Sequence, residues 1–310
     1  RFAKVLVDSA DLPLNVSREV AQQSPIFGAI RTGVTSRILS DLVKLSEKEP
    51  EAYAKIWENF GAVLKEGLYE APEKRDELFK LARFRTTTHP DGGRSLADVV
   101  KDFKVGQSAI YYLAGDDAGR IAASPQLEGF RARDVEVLLL SDPVDAFWIS
   151  TAAGFDGKSF KSVTQGGADL KSIAMKEGET APSSDVDAAT ATLIAALKTT
   201  LESAVADVRA SDRLSESAAC LVAADHGMDR RLERILAMGG QAPVSKPVLE
   251  INPGHALVRK LAEKRADEPG LVEDAAWLLL DEARLRDGEP PADAALFAQR
   301  LSRVMAKALG

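Results

Sequence analysis

Cysteine is almost absent from this chain of 310 residues, in which Cys220 is the only one. A single cysteine excludes an intrachain disulfide and a cysteine metal cluster, and it suits a reducing compartment. The three histidines, His89, His226 and His255, have no neighbours at ligand spacing, so we expect no metal site. Apolar runs such as residues 135–140 are much shorter than the roughly 18 residues of a membrane span, and no membrane partner is expected.

Motifs of self-contained catalysis are also missing from the sequence. Neither common type of glycine-rich phosphate loop is present, and the serines lack a nucleophile elbow. Forty Lys and Arg against 47 Asp and Glu leave a net charge of −7, which does not favour nucleic acid as a partner. The composition, 45% hydrophobic and 28% charged, is that of a globular protein. Because the chain opens on Arg1 rather than Met, we expect it to be a piece of a longer protein.

Helical periodicity dominates the first 70 residues. Apolar residues recur every three or four positions over 25–46 and again over 51–67, which predicts two long amphipathic helices. From about 69 to 170 short helices, including one around 116–132, alternate with strands. The predicted strands are 84–88, 108–114, 135–140 and 159–163. This alternation favours a mostly parallel sheet covered by helices.

The second half of the chain begins with a change of composition. Residues 171–189 are small, polar and proline-containing, and we interpret them as a linker. A helix near Ala189 and a strand at 218–223 follow, and the rest of the pattern is helical. The sequence therefore predicts a multidomain α/β (α+β) fold. Its parts are a helical connector, a small α/β subdomain with a helix-covered sheet, and a mixed α/β C-terminal domain that ends in a helical bundle.

The last two predicted helices, 271–285 and 292–309, are apolar around more of their circumference than one core contact can cover. Pairing with a second copy in a two-fold helical bundle would bury both faces, and burial inside a larger monomeric core is the alternative. The residues expected at such a dimer interface are Trp277, Leu278, Leu280, Leu296, Phe297, Leu301, Val304 and Met305.

Two local patterns raise questions of function. Within LPLNVSREVAQQSP, residues 12–25, Arg18 follows residues of capping type at a helix start, where a cation is unfavourable. Arg18 is therefore either solvated or directed at an anion such as a phosphate. Further along, a short helix over 228–236 carries an apolar stripe that is either ordinary core or an adaptable surface for varied partners. The stripe consists of Met228, Leu232, Ile235 and Leu236.

Four motifs, taken in chain order, resemble those of one known family. They are RFAKVLVDSADLPLNVSREVAQQ at 1–23, AIYYLAG at 109–115, FDGKSFKSVTQGG at 155–167 and LEINPGHALVRKL at 249–261. Together they resemble the ninety-kilodalton heat-shock chaperones, and the bacterial branch of that family fits best. The resemblance covers essentially the whole chain. It implies the later part of the middle domain followed by the C-terminal dimerisation domain, without the N-terminal nucleotide-binding domain.

The resemblance also implies a division of the chain into five parts. Residues 1–24 would be the last strand and the catalytic loop of a truncated first middle subdomain, and 25–68 the helical connector. The small α/β middle subdomain would cover 69–170, the linker 171–189 and the dimerisation domain 190–310.

Roles for individual residues follow from the same resemblance. Arg18 matches the loop arginine that contacts the terminal phosphate of ATP on the absent domain, and Gln22 matches a glutamine near that site. ATP and Mg²⁺ are then cofactors of the intact protein, and none is expected on this fragment, which should be inactive as an ATPase on its own. The stripe at Met228 resembles the family's client-contacting helix. Phe147 and Trp148 match an aromatic implicated in client contact, with capping of the α/β core as the alternative.

The implied function is that of an ATP-dependent molecular chaperone, active in the stress response, that binds and remodels partly folded client proteins as a homodimer. The alternative is a structural dimerisation scaffold without a client surface. The implied location is the bacterial cytoplasm, because the chain ends at KALG without the acidic peptide of eukaryotic cytosolic members.

Overall fold

The computed structural model describes residues 25–165, 168–179, 186–224, 227–240 and 245–309. Its α-helices are α1 (Pro25–Lys48), α2 (Pro50–Glu70), α3 (Arg75–Leu81), α4 (Leu96–Lys101), α5 (Ala118–Ala122), α6 (Glu128–Arg131), α7 (Asp145–Thr151), α8 (Ala188–Leu201), α9 (Arg230–Met238), α10 (Ala256–Lys264), α11 (Pro269–Arg286) and α12 (Ala294–Leu309). Its strands are β1 (Arg85–Thr86), β2 (Ala109–Ala114), β3 (Val137–Leu140), β4 (Gly154–Phe155), β5 (Lys158–Ser162), β6 (Asp207–Ala210), β7 (Ala219–Val222) and β8 (Val248–Ile251). The predicted mixed α/β fold is confirmed. Among the described residues, no helix combines the length and the apolar character that a membrane crossing requires.

The two long helices predicted from periodicity are present as α1 and α2, and they pack against each other. Pro50 stands in the first turn of α2, where a missing amide proton costs nothing because that proton has no partner inside a helix. Tyr53 is buried on α2, and its hydroxyl donates a hydrogen bond to the Leu81 carbonyl oxygen at 2.6 Å. This bond attaches α2 to the end of α3.

The first sheet has the strand order β1-β3-β2-β5-β4. Its three central strands are parallel, as predicted, whereas β1 and β4 add to the two edges in antiparallel orientation. Alternate residues of β2 face opposite sides of the sheet. Ile110 and Tyr112 join the core formed with α1 to α4 and α7, and Tyr111 joins the core formed with α5 and α6. Helices thus cover both faces.

The prediction of a single helix around 116–132 is wrong. The chain instead forms α5, a 3₁₀ turn at Pro125–Leu127, and α6. Pro125 lacks an amide proton and favours an extended conformation at the residue before it, and Ser124 has φ −66° and ψ 134°. The Ser124 hydroxyl then accepts a hydrogen bond from the Gln126 amide at 3.3 Å, so the break is capped locally.

The linker predicted over 171–189 begins too early. Ile173 is buried in the same core as Leu170, and the Lys176 amide donates to the Ala132 carbonyl oxygen at 2.9 Å. The start of this segment therefore belongs to the α/β unit that is built on the first sheet, called the first α/β unit below. Residues 180–185 lie outside the described residues. Helix α8 starts where predicted, because the carboxylate of Asp187 accepts a hydrogen bond from the Thr190 amide at 2.7 Å.

The second sheet has the order β6-β8-β7, with β6 parallel and β7 antiparallel to the central β8. The strand predicted at 218–223 is β7, but the expectation of only helices after it is wrong, because β8 is the centre of this sheet. β6 was missed as well. Charged residues interrupt the apolar pattern of both strands, so the sequence does not indicate them. Glu250 is buried in β8, where its carboxylate lies 3.0 Å from guanidinium nitrogens of both Arg209 and Arg213.

A buried ion pair holds α7 against α2. The Lys65 ammonium lies 3.0 Å from a carboxylate oxygen of Asp145 and 2.8 Å from one of Asp142. The indole N–H of Trp148 donates to Asp145 at 2.7 Å. Burial raises the pKa of Asp145, while the positive charge of Lys65 opposes that rise. The position of α7 therefore depends on a carboxylate that has little access to water.

Replacing Lys65 with Met should lower the free energy of unfolding by about 3–5 kcal/mol, because it leaves the Asp145 carboxylate buried without its cation. Lys44→Met is the matched control, since Lys44 is exposed and its ammonium lies 3.7 Å from Asp41; we expect a change below about 0.5 kcal/mol there. Urea unfolding followed by tryptophan fluorescence measures both variants. Equal stabilities would contradict a structural role for the buried pair.

Candidate functional site

Arg18 and Gln22, the residues expected to act at a phosphate, lie outside the described residues. Their roles stay predictions. The other predicted site residues lie in the described part of the chain, on α7, α11 and α12, and on α9 together with the residues just before it.

The short helix predicted over 228–236 is present as α9, displaced by two residues to Arg230–Met238. Asp229 forms its N-cap, and one carboxylate oxygen accepts hydrogen bonds from the amides of Arg231 at 2.9 Å and Leu232 at 3.2 Å. The other oxygen accepts from the Ser162 hydroxyl at 2.5 Å. The start of α9 is therefore attached to the end of β5 in the first sheet.

Ion pairs hold the polar face of α9. Arg230 lies 3.1 Å from Asp287 and 2.6 Å from Glu289, and Arg234 lies 3.0 Å from Glu289. Arg231 pairs with Asp116 of the first α/β unit. Burial raises the pKa of Asp287 to about 6, against the opposing effect of the two arginines nearest to it. These contacts fix the rotation of α9 about its own axis.

The apolar face of α9 is left partly open by this arrangement. Met228, immediately before the helix, is 52% exposed, and Leu232, Ile235 and Leu236 are each half-buried. Sequence reasoning missed Met238, which is more exposed than any of these and lies three residues after Ile235, on the period of the same stripe. The stripe is therefore a surface feature rather than ordinary core.

Phe147 and Trp148 are neighbours on α7, but the structure places them in different environments. Trp148 is fully buried, with its ring 5.6 Å from that of Phe79, so the core role fits it and contact with a client does not. The expectation for Trp148 is therefore corrected. Phe147 is 42% exposed, and α7 lies against α9. The structure thus brings Phe147 and the α9 stripe to neighbouring helices.

Tyr69 is a further exposed aromatic that sequence reasoning missed. It is 50% exposed in the last turn of α2, and its ring centroid lies 5.8 Å from that of Phe147. Its position one residue after the buried Leu68 puts it off the apolar stripe of α2, so periodicity gives no signal for it.

The predicted dimer residues on α11 divide between surface and core. Leu280 is fully buried in the core of the second sheet, together with Leu279, so it is not available to a second copy and the expectation for it is corrected. Trp277 and Leu278 are half-buried. The indole ring of Trp277 lies 4.9 Å from the guanidinium of Arg300 on α12.

Helix α12 contains no buried residue. Leu296, Leu301 and Met305 are exposed, whereas Phe297 and Val304 are half-buried. The helix is fastened to α11 by charge: the Arg303 guanidinium donates to the Asp274 carboxylate at 2.7 Å. A second pair joins Lys307 to Glu268 just before α11. The apolar residues expected at a dimer interface on α12 are thus uncovered to a large extent.

Comparisons with known proteins show the family of the chain. The sequence model of the family described as Hsp90 protein matches residues 1–310. Over the whole chain, the sequence is 55% identical to the chaperone protein HtpG of Mesorhizobium japonicum and to that of Rhizobium meliloti, of which it covers 49% each. It is 50% identical to the HtpG of Rhodospirillum rubrum, of which it covers 50%. The chain spans about half the length of the curated relatives it matches, and it belongs to the Hsp90 family of chaperones.

Proposed function

We propose that this chain supplies the client-binding surface and the dimer interface of an ATP-dependent chaperone of the HtpG type. The observation that carries the proposal is that α9 and α12 both keep apolar side chains at the surface while ion pairs hold other positions of the same helices. Adjacent exposed apolar side chains mark contact sites for other proteins. Its relatives are named chaperones, which agrees with unfolded or partly folded proteins as one of these partners.

The client surface consists of Phe147 on α7 and the apolar stripe of α9 with Met228. Unfolded clients differ in sequence, so their binding surface has to accept many shapes. Methionine side chains are unbranched and flexible, which suits such a surface. The surrounding arginines and carboxylates are already paired with one another, so an apolar segment can bind without leaving a charge unpaired.

The double substitution Met228→Ser and Leu232→Ser should raise the concentration needed to suppress aggregation of an unfolded substrate by about fivefold or more, because two apolar contacts are lost. Light scattering of a heat-denatured substrate measures this effect. Val105→Ser removes a valine that is almost fully exposed in the first α/β unit and should change nothing. Full suppression by the double variant would favour the structural scaffold without a client surface.

The dimer interface is the exposed face of α12 together with Trp277 and Leu278 on α11. In a two-fold interface the same patch meets itself, so one helix pair from each copy can build a four-helix bundle. The charged groups that fasten α12 to α11 are paired with each other, and Leu301 and Met305 remain exposed on the same helix.

Leu301→Asp combined with Met305→Asp should weaken dimerisation by about a hundredfold or more, since both carboxylates would be buried against apolar groups. Size-exclusion chromatography with light scattering at micromolar concentration should then report a monomer. Val105→Asp, which adds a charge outside the interface, should stay a dimer. A monomeric parent chain, or a dimeric double variant, would contradict this interface.

We further propose that Arg18 stabilises negative charge on the terminal phosphate of ATP bound to a separate nucleotide-binding domain of the intact protein, with Gln22 near the same site. Mg²⁺ would accompany the nucleotide there. A guanidinium suits this role because its planar donors match phosphate oxygens and it stays charged at any physiological pH. In this scheme the protein acts in the bacterial cytoplasm, where ATP is available.

In a longer protein that joins this chain to its nucleotide-binding domain, Arg18→Ala should lower the steady-state rate of phosphate release by about a hundredfold. Arg37→Ala is the control, because the Arg37 guanidinium is exposed and pairs with Asp41 within α1. Undiminished ATPase activity of the Arg18 variant would remove this residue from the mechanism.

A further inference from the structure

Helix α7, which carries Phe147, is held at its start by α2 and at its end by the first residue of α3. At its start, Asp145 pairs with Lys65 of α2. At its end, the Arg75 guanidinium donates to the Thr151 carbonyl oxygen and to the Thr151 hydroxyl, each at 2.9 Å. The ring of Phe147 is therefore presented on a helix whose position is fixed.

The same arginine also fixes the end of α2. Its Nε donates to the Leu68 carbonyl oxygen at 2.7 Å, next to Tyr69 in the chain. Arg75 thus joins the last turn of α2 to the last turn of α7, and the two exposed rings, Tyr69 and Phe147, lie on the helices that it joins. Rings on fixed backbones lose little conformational freedom when a ligand binds between or beside them.

The two rings contact each other and are both partly exposed. The planes of Tyr69 and Phe147 are inclined at 53°, with centroids 5.8 Å apart, and about half of each side chain is exposed. Aromatic rings prefer tilted or offset neighbours at centroid distances of about 4.5–7 Å. A third aromatic side chain can therefore contact both rings at once, and the tyrosine hydroxyl suits a site that is partly in water.

We propose that Tyr69 and Phe147 together form a docking place for an aromatic side chain of an unfolded client segment. The proposal rests on the client-binding function proposed above, and it extends that surface from the two domains that meet at α7 and α9 to the connector helix α2. The occupant is an extended segment of a client, because α7 lies against α9 and one segment can run from the ring pair to the apolar stripe. The pair thereby favours clients that carry a phenylalanine, tyrosine or tryptophan near another apolar residue.

The test uses two fluorescein-labelled peptides of about 15 residues that are unfolded and differ in one position, phenylalanine in one and alanine in the other. Fluorescence anisotropy measures their affinity for the parent chain and for four variants. Tyr69→Ser removes the ring, Tyr69→Phe keeps it, Leu232→Ser disrupts the α9 stripe, and Val105→Ser is the surface control. Thermal melting of each variant by circular dichroism shows whether it is folded.

Tyr69→Ser should weaken binding of the phenylalanine peptide by about three- to tenfold, and binding of the alanine peptide by less than about twofold. Tyr69→Phe should stay within about twofold of the parent for both peptides. Suppose that Tyr69→Ser binds the phenylalanine peptide like the parent, while Leu232→Ser binds it more weakly. The ring pair is then not a docking place, and the proposed client-binding role of the α9 stripe is retained. If Leu232→Ser also leaves both affinities unchanged, the client-binding function itself is overturned.

Discussion

The carboxylate of Asp229 is the group on which the arrangement of the candidate site depends. It is buried between the two α/β units, where one oxygen caps α9 and the other accepts hydrogen bonds from Ser162 and Thr164. A buried carboxylate is costly unless all its acceptor positions are used. The observed placement of α9 relative to the first sheet uses both oxygens, so a displacement of the start of this helix would leave the carboxylate without these partners.

Other buried charges reinforce the same junction. The Glu128 carboxylate on α6 accepts hydrogen bonds from the amides of Ser215 and Glu216 at 2.7 and 2.9 Å. The Arg213 guanidinium, fully buried, donates to the Val163 carbonyl oxygen at 2.6 Å. Each of these bonds crosses from one unit to the other. Polar groups of this kind add little net stability, but a displacement leaves several of them unpaired at once. The two units consequently present α7 and α9 in a fixed relation.

The sequence predicts the long elements of this fold well and the junction poorly. Periodicity finds α1, α2, α11 and α12 because each has many turns over which the apolar stripe repeats. It cannot separate Phe147 from Trp148, since neighbours on a short helix point about 100° apart and either could face inward. Trp148 is the residue that is buried, and its indole N–H donates to Asp145. Leu280 was assigned to the wrong surface for the same reason, because α11 is apolar nearly all round and only its packing against β7 shows which side is inside.

The apolar side chains of α9 and α12 stay at the surface because ion pairs on the same helices oppose a rotation that would bury them. Rotating α9 to bury its stripe would break the pairs of Arg230 with Asp287 and Glu289, and the Arg230 guanidinium is largely removed from water. Rotating α12 would break the pairs of Arg303 and Lys307. The two surfaces differ in size, however. α12 has no buried residue over 16 positions, which suits the dimer interface proposed above, whereas the α9 stripe is short, partly buried and followed by the exposed Met238. A small adaptable patch binds each partner weakly, and in the proposed client-binding function a weak contact would allow the client to be released.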